Sequence, residues 1–200
     1  MTPDGVRLLA VLGSSTPPGR LHRALAQTLG RSRDALRELD AQARLIDLSE
    51  LRLSFADERD PRELDDDTPA VIEAIEEADA LLFATPIYRG SMTAALKNVF
   101  DLLPVPALEG KVVALASMGG SDHHFLGADR HMRDVLAFFG ALVTPVSVYL
   151  TAADFDDGEP AGRAAAALDE LIAGAVSLAT VTNPYMPLGP SPLAARMVRR

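Results

Sequence analysis

Apolar positions in this chain fall in short dense runs, parted by amphipathic stretches and by loops rich in Gly, Pro and hydroxyls. Val6 to Leu12 (VRLLAVL) is almost wholly apolar after a Pro-Asp-Gly turn signal and reads as a buried strand. The loop Gly13 to Arg20 empties into a helix expected from about Leu21 to Leu39, with Leu21, Leu25, Leu29 and Leu36 on its inner face. Ala43 to Leu48 is a second strand, and the charged stretch 49–68 reads as an exposed connection. Thr68-Pro69 opens a helix that turns Val71, Ile72 and Ile75 inward and ends at Asp79. The run Ala80 to Ala84 is a third strand, broken at Thr85-Pro86. After the short loop Ile87-Tyr88-Arg89-Gly90 a helix is expected with Ser91 as its N-cap, ended by Pro104 and Pro106.

Lys111 to Ser117 is a fourth strand, and Met118 to Ser121 its exit loop. A helix follows from about Asp122 to Phe139, closed by Gly140. Ala141 to Leu150 is a fifth strand, and Pro145 within it assigns that strand to a sheet edge. The last helix spans 160–180. Strands alternating with helices give an open α/β fold, and five strands favour the flavodoxin-like parallel sheet of order 2-1-3-4-5 with helices on both faces. The expected division is one domain over 1–180 and a Pro-rich tail over 181–200, extended or draped on a partner subunit. Ligands of such sheets sit outside the carboxyl ends of the strands, at the switch point between strands 1 and 3. The loops at 13–20, 85–90 and 117–121 lie there.

Composition narrows the function. The chain has 200 residues, of which 48% are hydrophobic, enough for a sizeable core. It has no cysteine, which excludes disulfides and any thiolate-held metal. A formal net charge of -9 argues against a nucleic-acid partner. No basic region precedes the first apolar run, so no membrane role and a cytoplasmic location are expected.

Each loop offers donors. Ser14, Ser15, Thr16 and Arg20 suit a phosphate, although the same hydroxyls could simply cap the helix. The stretch is neither a GxGxxG fingerprint nor a P-loop. Tyr88 could lie against a ring or be a packing residue. Gly119 and Gly120 allow close backbone approach, or serve a turn that needs positive φ. His22, His123, His124 and His131 lack ligand spacing, so no metal site is expected. Asp65-Asp66-Asp67 reads as a solvated run at a helix start. No Gly-x-Ser-x-Gly elbow is present.

Thr85-Pro86-Ile87-Tyr88 through Leu96-Lys97-Asn98 resembles the TPxYxxxxxxxLKN signature of NAD(P)H-dependent FMN reductases. Gly13-Ser14 with Arg20 is similar to that family's phosphate loop, and Ser117-Met118-Gly119-Gly120 to its third flavin loop. Leu102-Leu103-Pro104, Leu108 to Val113, Gly119-Gly120 and His124 resemble the alkanesulfonate-monooxygenase reductase subgroup. In the second loop Ile87 and Arg89 stand where that pattern has Glu and Asn. Asp129 to Met132 stands where the subgroup often has a helix-distorting tyrosine.

The resemblance implies FMN and NAD(P)H as cofactors, with hydride passing from nicotinamide to flavin. It assigns Ser14, Thr16, Arg20 and Leu21 to the FMN phosphate, and Pro86, Ile87, Tyr88 and Arg89 to the ribityl chain and ring edge. Ser117, Gly119 and Gly120 fall to the isoalloxazine. No catalytic side chain is expected, because the hydride moves between two cofactors. It further implies a homodimer or homotetramer and a flavin-dependent monooxygenase that receives reduced flavin. The helix over 92–103, with Met92, Val99, Phe100 and Leu103, offers an interface. The alternatives are an FMN-bound reductase of quinones, azo dyes or chromate, a flavodoxin-like electron carrier without NAD(P)H activity, and a nucleotide binder that takes no flavin. With 5% aromatic residues and no Trp, an aromatic sandwich around a retained flavin is hard to build, which favours an open site.

Overall fold

The computed structural model describes residues 5–16 and 18–182. Four seven-residue strands, β1 (Val6–Leu12), β2 (Ala41–Asp47), β3 (Ala80–Pro86) and β4 (Val112–Met118), form the body of one parallel sheet. Two short strands, β5 (Leu142–Val143) and β6 (Val148–Leu150), both pair with β4. The order is β2-β1-β3-β4-β5, the flavodoxin-like order expected from the alternation of elements. The helices are α1 (Arg20–Arg31), α2 (Arg33–Glu38), α3 (Thr68–Glu77), α4 (Ala94–Leu102), α5 (Gly127–Phe139) and α6 (Gly162–Val181). A two-stranded hairpin, β7 (Phe155–Asp156) with β8 (Glu159–Pro160), precedes α6.

Side chains on a strand point alternately to opposite faces, and both faces here are covered. Leu9, Val11, Leu81, Phe83, Val113 and Leu115 meet α3, α4 and α5. Leu8, Ala10, Leu12, Leu82, Ala84, Ala114 and Ala116 meet α1 and α6. Phe83 is fully buried and packs edge-on against Phe100 of α4, ring centres 4.8 Å apart. Its burial contributes roughly 2–3 kcal/mol. By length and composition α6 could cross a bilayer, with a mean hydropathy of 1.6. In this fold it lies on the sheet, burying Leu168, Leu171, Ile172, Ala175 and Val176 in the second core.

Several expected boundaries are corrected. The first helix breaks at Ser32, where the Ser32 hydroxyl and the Arg31 guanidinium both turn to Asp169 of α6, at 3.3 and 3.2 Å. The helix expected from Asp122 begins as a 3-10 turn (Asp122–His124) and becomes α5 only at Gly127. Gly140 ends it in the left-handed conformation, φ 71°, as its position predicts. Thr93, not Ser91, caps α4: its backbone is extended and its hydroxyl accepts from Leu96 N. Ser91 instead pairs with Tyr88 across a two-residue turn. The fifth strand is split around Pro145, and both parts pair in the sheet with β4, as an edge position requires.

The stretch 49–67 is pinned rather than merely exposed. Asn98 of α4 accepts from Ala56 N at 2.9 Å and donates to Ser54 O at 2.9 Å. Asp66 accepts from Ser54 N, Ser54 Oγ and Thr68 N, which holds its carboxyl down at about 2, the Ser54 hydroxyl contributing most. Met92, Val99, Phe100 and Leu103, expected at an interface, are buried in this chain's own core. The tail expected over 181–200 lies outside the described residues from 183 onward.

Candidate functional site

Because β1, β3 and β4 are parallel neighbours, their carboxyl ends deliver three loops to one edge of the sheet. Leu12 is level with Ala84, Thr85 with Ser117 and Pro86 with Met118. Main-chain bonds continue past the strands: Gly13 N to Ala84 O and Ile87 N to Met118 O, both 2.8 Å, and Gly119 N to Leu150 O at 2.9 Å. The three expected loops therefore leave the sheet side by side.

The first loop is closed on itself. Ser14 is buried and its hydroxyl donates to Thr16 O at 3.0 Å, while Thr16 stays exposed. Gly13 is required for closeness: a Cβ there would lie 2.6 Å from Leu96 Cβ. Arg20 opens α1, and its guanidinium lies 5.9 Å from the Phe155 ring centre. Leu21 is buried beneath the loop. No side chain caps the amides at the start of α1. Those amides, with Arg20 and Thr16 at the surface, form a donor set that fits a phosphate.

The second loop is a tight turn. Tyr88 N donates to Ser91 O at 2.9 Å and Ser91 N to Tyr88 O at 3.1 Å. Both residues between them have positive φ, Arg89 at 54° and Gly90 at 78°. Such a turn usually takes Asn or Gly at the first position, so Arg89 is held in a strained conformation with its side chain exposed. Pro86 and Ile87 are half-buried, and Tyr88 is half-exposed.

The third loop has a filled side and an open one. Ser117 and Gly119 are buried, and the Tyr149 ring presses so closely on Gly119 that a Cβ there would overlap its hydroxyl. That hydroxyl donates to Ser121 O at 2.5 Å. Burial pushes its pKa up, and the charges of Asp122 and Asp154 reinforce the shift. Gly120 is exposed, with nothing within 4 Å of where a Cβ would stand. A flat ligand edge can approach the main chain there.

Sequence reasoning missed the residues that tie the loops together. The buried hydroxyl of Thr93 donates to Gly13 O at 2.6 Å, and that of Thr85 accepts from Thr93 N at 3.1 Å. His22 Nδ1 lies 2.7 Å from the buried Asp47 carboxylate, which also accepts from Ser49 N and Oγ. The only sequence signal for these was residue type beside a loop. Among the described residues no group of three or more His, Cys, Asp or Glu could hold a metal ion.

A parallel sheet of this order with three amide- and hydroxyl-bearing loops at its switch point defines a flavodoxin-like nucleotide-binding α/β protein. The chain belongs to the NADPH-dependent FMN reductase family, whose model matches residues 6–156. It is 38% identical over 158 residues to an FMN reductase (NADPH) of Pseudomonas aeruginosa, covering 76% of this chain and 80% of that one. It is 36% identical over 151 residues to the NADH-dependent FMN reductase SfnF of Pseudomonas fluorescens, covering 76% and 81%. The crystal structure of an NADH:FMN oxidoreductase (EMOB) in its apo form superposes with a TM-score of 0.67. That chain is 26% identical, and the match covers 94% of this chain and 93% of the other.

Proposed function

We propose that this protein oxidises NAD(P)H and reduces FMN seated across the tips of β1, β3 and β4. The observation that carries the reading is the alignment of the three loops by main-chain bonds from Gly13, Ile87 and Gly119. Within this proposal the start of α1, with Ser14, Thr16, Arg20 and Leu21, holds the phosphate. Pro86, Ile87, Tyr88 and Arg89 border the ribityl chain and ring edge, and Ser117, Gly119 and Gly120 face the ring.

Flavin accepts the hydride directly from nicotinamide when both are bound. The chain's own part is orientation, exclusion of water from one face, and amides directed at developing negative charge. No side chain is asked to move a proton. The site's openness supports a flavin that enters and leaves, and reduced FMN is proposed to supply a flavin-dependent monooxygenase. A homodimer or homotetramer belongs to the same proposal, as does a cytoplasmic location, where the reduced nucleotide is made.

FMN added to the purified protein should give a bound flavin spectrum, and NADPH or NADH should bleach it without oxygen. Excess free FMN should then be turned over as a substrate. A protein that binds FMN yet leaves both nucleotides unoxidised is an electron carrier, and one that never binds FMN overturns the reading.

A further inference from the structure

We propose that the β7–β8 hairpin is a fourth wall of the flavin site, and that its Phe155 positions Arg20 for the FMN phosphate. The inference rests on the reductase reading and deepens it, by naming what makes the site choose a phosphorylated flavin.

Arg20 is exposed at the first position of α1, beside amides that no side chain caps. Among the described residues its guanidinium makes no hydrogen bond and no ion pair, and its partner is the Phe155 ring, 5.9 Å from Cζ to the ring centre. The neighbouring arginines of α1 are committed. Arg23 donates to Gly158 O and Pro18 O, and Arg31 to Asp169. A carboxylate partner would neutralise Arg20 and occupy its donors. An aromatic ring attracts the cation through its face and leaves the N–H groups for phosphate oxygens. It also restricts a long side chain in advance, so less rotamer freedom is lost when an anion is gripped.

The ring can do this because the hairpin that carries it is fixed. Phe155 is half-buried and packs against the second core. Asp157 and Gly158 turn the hairpin, both at positive φ, 47° and 84°. At its base the Asp154 carboxylate accepts from Thr151 N at 2.8 Å and Thr151 Oγ at 3.1 Å, and Ala161 N donates to Asp154 O at 2.9 Å. Thr151 directly follows Leu150, whose carbonyl accepts from Gly119 N of the third loop. At the other end Arg23 bonds Gly158 O at 3.2 Å and Pro18 O of the first loop at 3.0 Å. Gln27 of α1 adds a bond to Glu159 at 2.6 Å. The hairpin therefore joins the first loop to the third, and Phe155 sits on that bridge facing Arg20.

The test is the dissociation constant for FMN and for riboflavin, which has the same ring and no phosphate, read by flavin fluorescence. The proteins are the wild type, Phe155→Leu, Phe155→Tyr, Arg20→Ala and the double variant Phe155→Leu with Arg20→Ala. Leucine keeps an apolar group against the core and removes the ring face; tyrosine keeps the ring. Phe155→Leu should weaken FMN about three- to tenfold and leave riboflavin as it was. Phe155→Tyr should bind FMN like the wild type. Once Arg20 is gone, Phe155→Leu should cost nothing further. Thermal melting confirms that each variant is folded. An equal loss for both flavins, an unchanged FMN affinity in Phe155→Leu, a loss that persists without Arg20, or a wild type that binds both flavins alike overturns the role of Phe155. A wild type that binds neither flavin overturns the reductase reading and this inference together. One that binds FMN leaves that reading standing whichever way the variants fall.

Discussion

The hydroxyl of Thr93 is shared between two loops that leave different strands: it donates to Gly13 O and accepts from Leu96 N at 3.2 Å. Replacing it with valine keeps the shape, removes an N-cap and leaves a buried carbonyl unpaired. The expected cost of Thr93→Val is about 2–3 kcal/mol, with weaker FMN binding because the first and second loops lose their tie. Thr93→Ser should recover most of both. Urea denaturation and FMN titration measure the two effects, and a cost below about 0.5 kcal/mol would show that the bond carries little. The sequence could not single out this residue. By type Ser91 is if anything the better cap, and the choice of Thr93 rests on Gly13, 80 positions away. The residue types at Ser14, Arg20 and Gly119 were legible. The Phe155 ring facing Arg20 and the Tyr149 ring against Gly119 were not, because both arrive from the far end of the domain.

At the scale of elements, β1, β3 and β4 were legible because a strand buried on both faces must be apolar throughout. The edge was legible from Pro145. What periodicity could not supply was the destination of an apolar face. The α4 residues looked fit for a partner and instead fill the space between β3 and the 48–67 connection.

Lys111, just before β4, was unreadable for the same reason. Its ammonium donates to Ile75 O at 2.9 Å and to Glu76 O, closing the C-terminal end of α3. Burial lowers its pKa from 10.5 to about 8, against the pull of Asp79 and Glu76 and with a smaller push from Arg7. Below pH 8 both folded and unfolded chains hold the proton. Between 8 and 10.5 the unfolded chain holds more, so this group's contribution to stability rises with pH across that window. Compared with Lys111→Met, the wild type should gain on the order of 1 kcal/mol from pH 8 to pH 10, allowing for solvent screening. Denaturation midpoints for both proteins across that range give the answer; a flat or falling difference would contradict the shift.

For the whole molecule, the surface near the site points to where a second copy would sit. Tyr88 is 50% exposed, Phe125 55% and Leu126 46%. Phe125 and Leu126 border the same cavity as Gly90, and Tyr88 stands in the adjoining turn. Three large apolar groups around one site are more than solubility alone favours. The exposed side of α4, by contrast, carries the Lys97–Asp101 ion pair at 2.5 Å. Assembly through the site's rim, rather than through α4, is therefore the expected arrangement. Sedimentation of the wild type at micromolar concentration should show a dimer or tetramer. The double substitution Phe125→Glu and Leu126→Glu should weaken association by about tenfold or more, since it buries charge at the centre of the contact. It should also raise the KM for FMN, because the partner no longer helps to close the open side of the flavin loops. Lys97→Ala on α4 should leave assembly as it was. A wild type that sediments as a monomer, or a double variant that assembles like the wild type, would place the flavin site wholly within one chain.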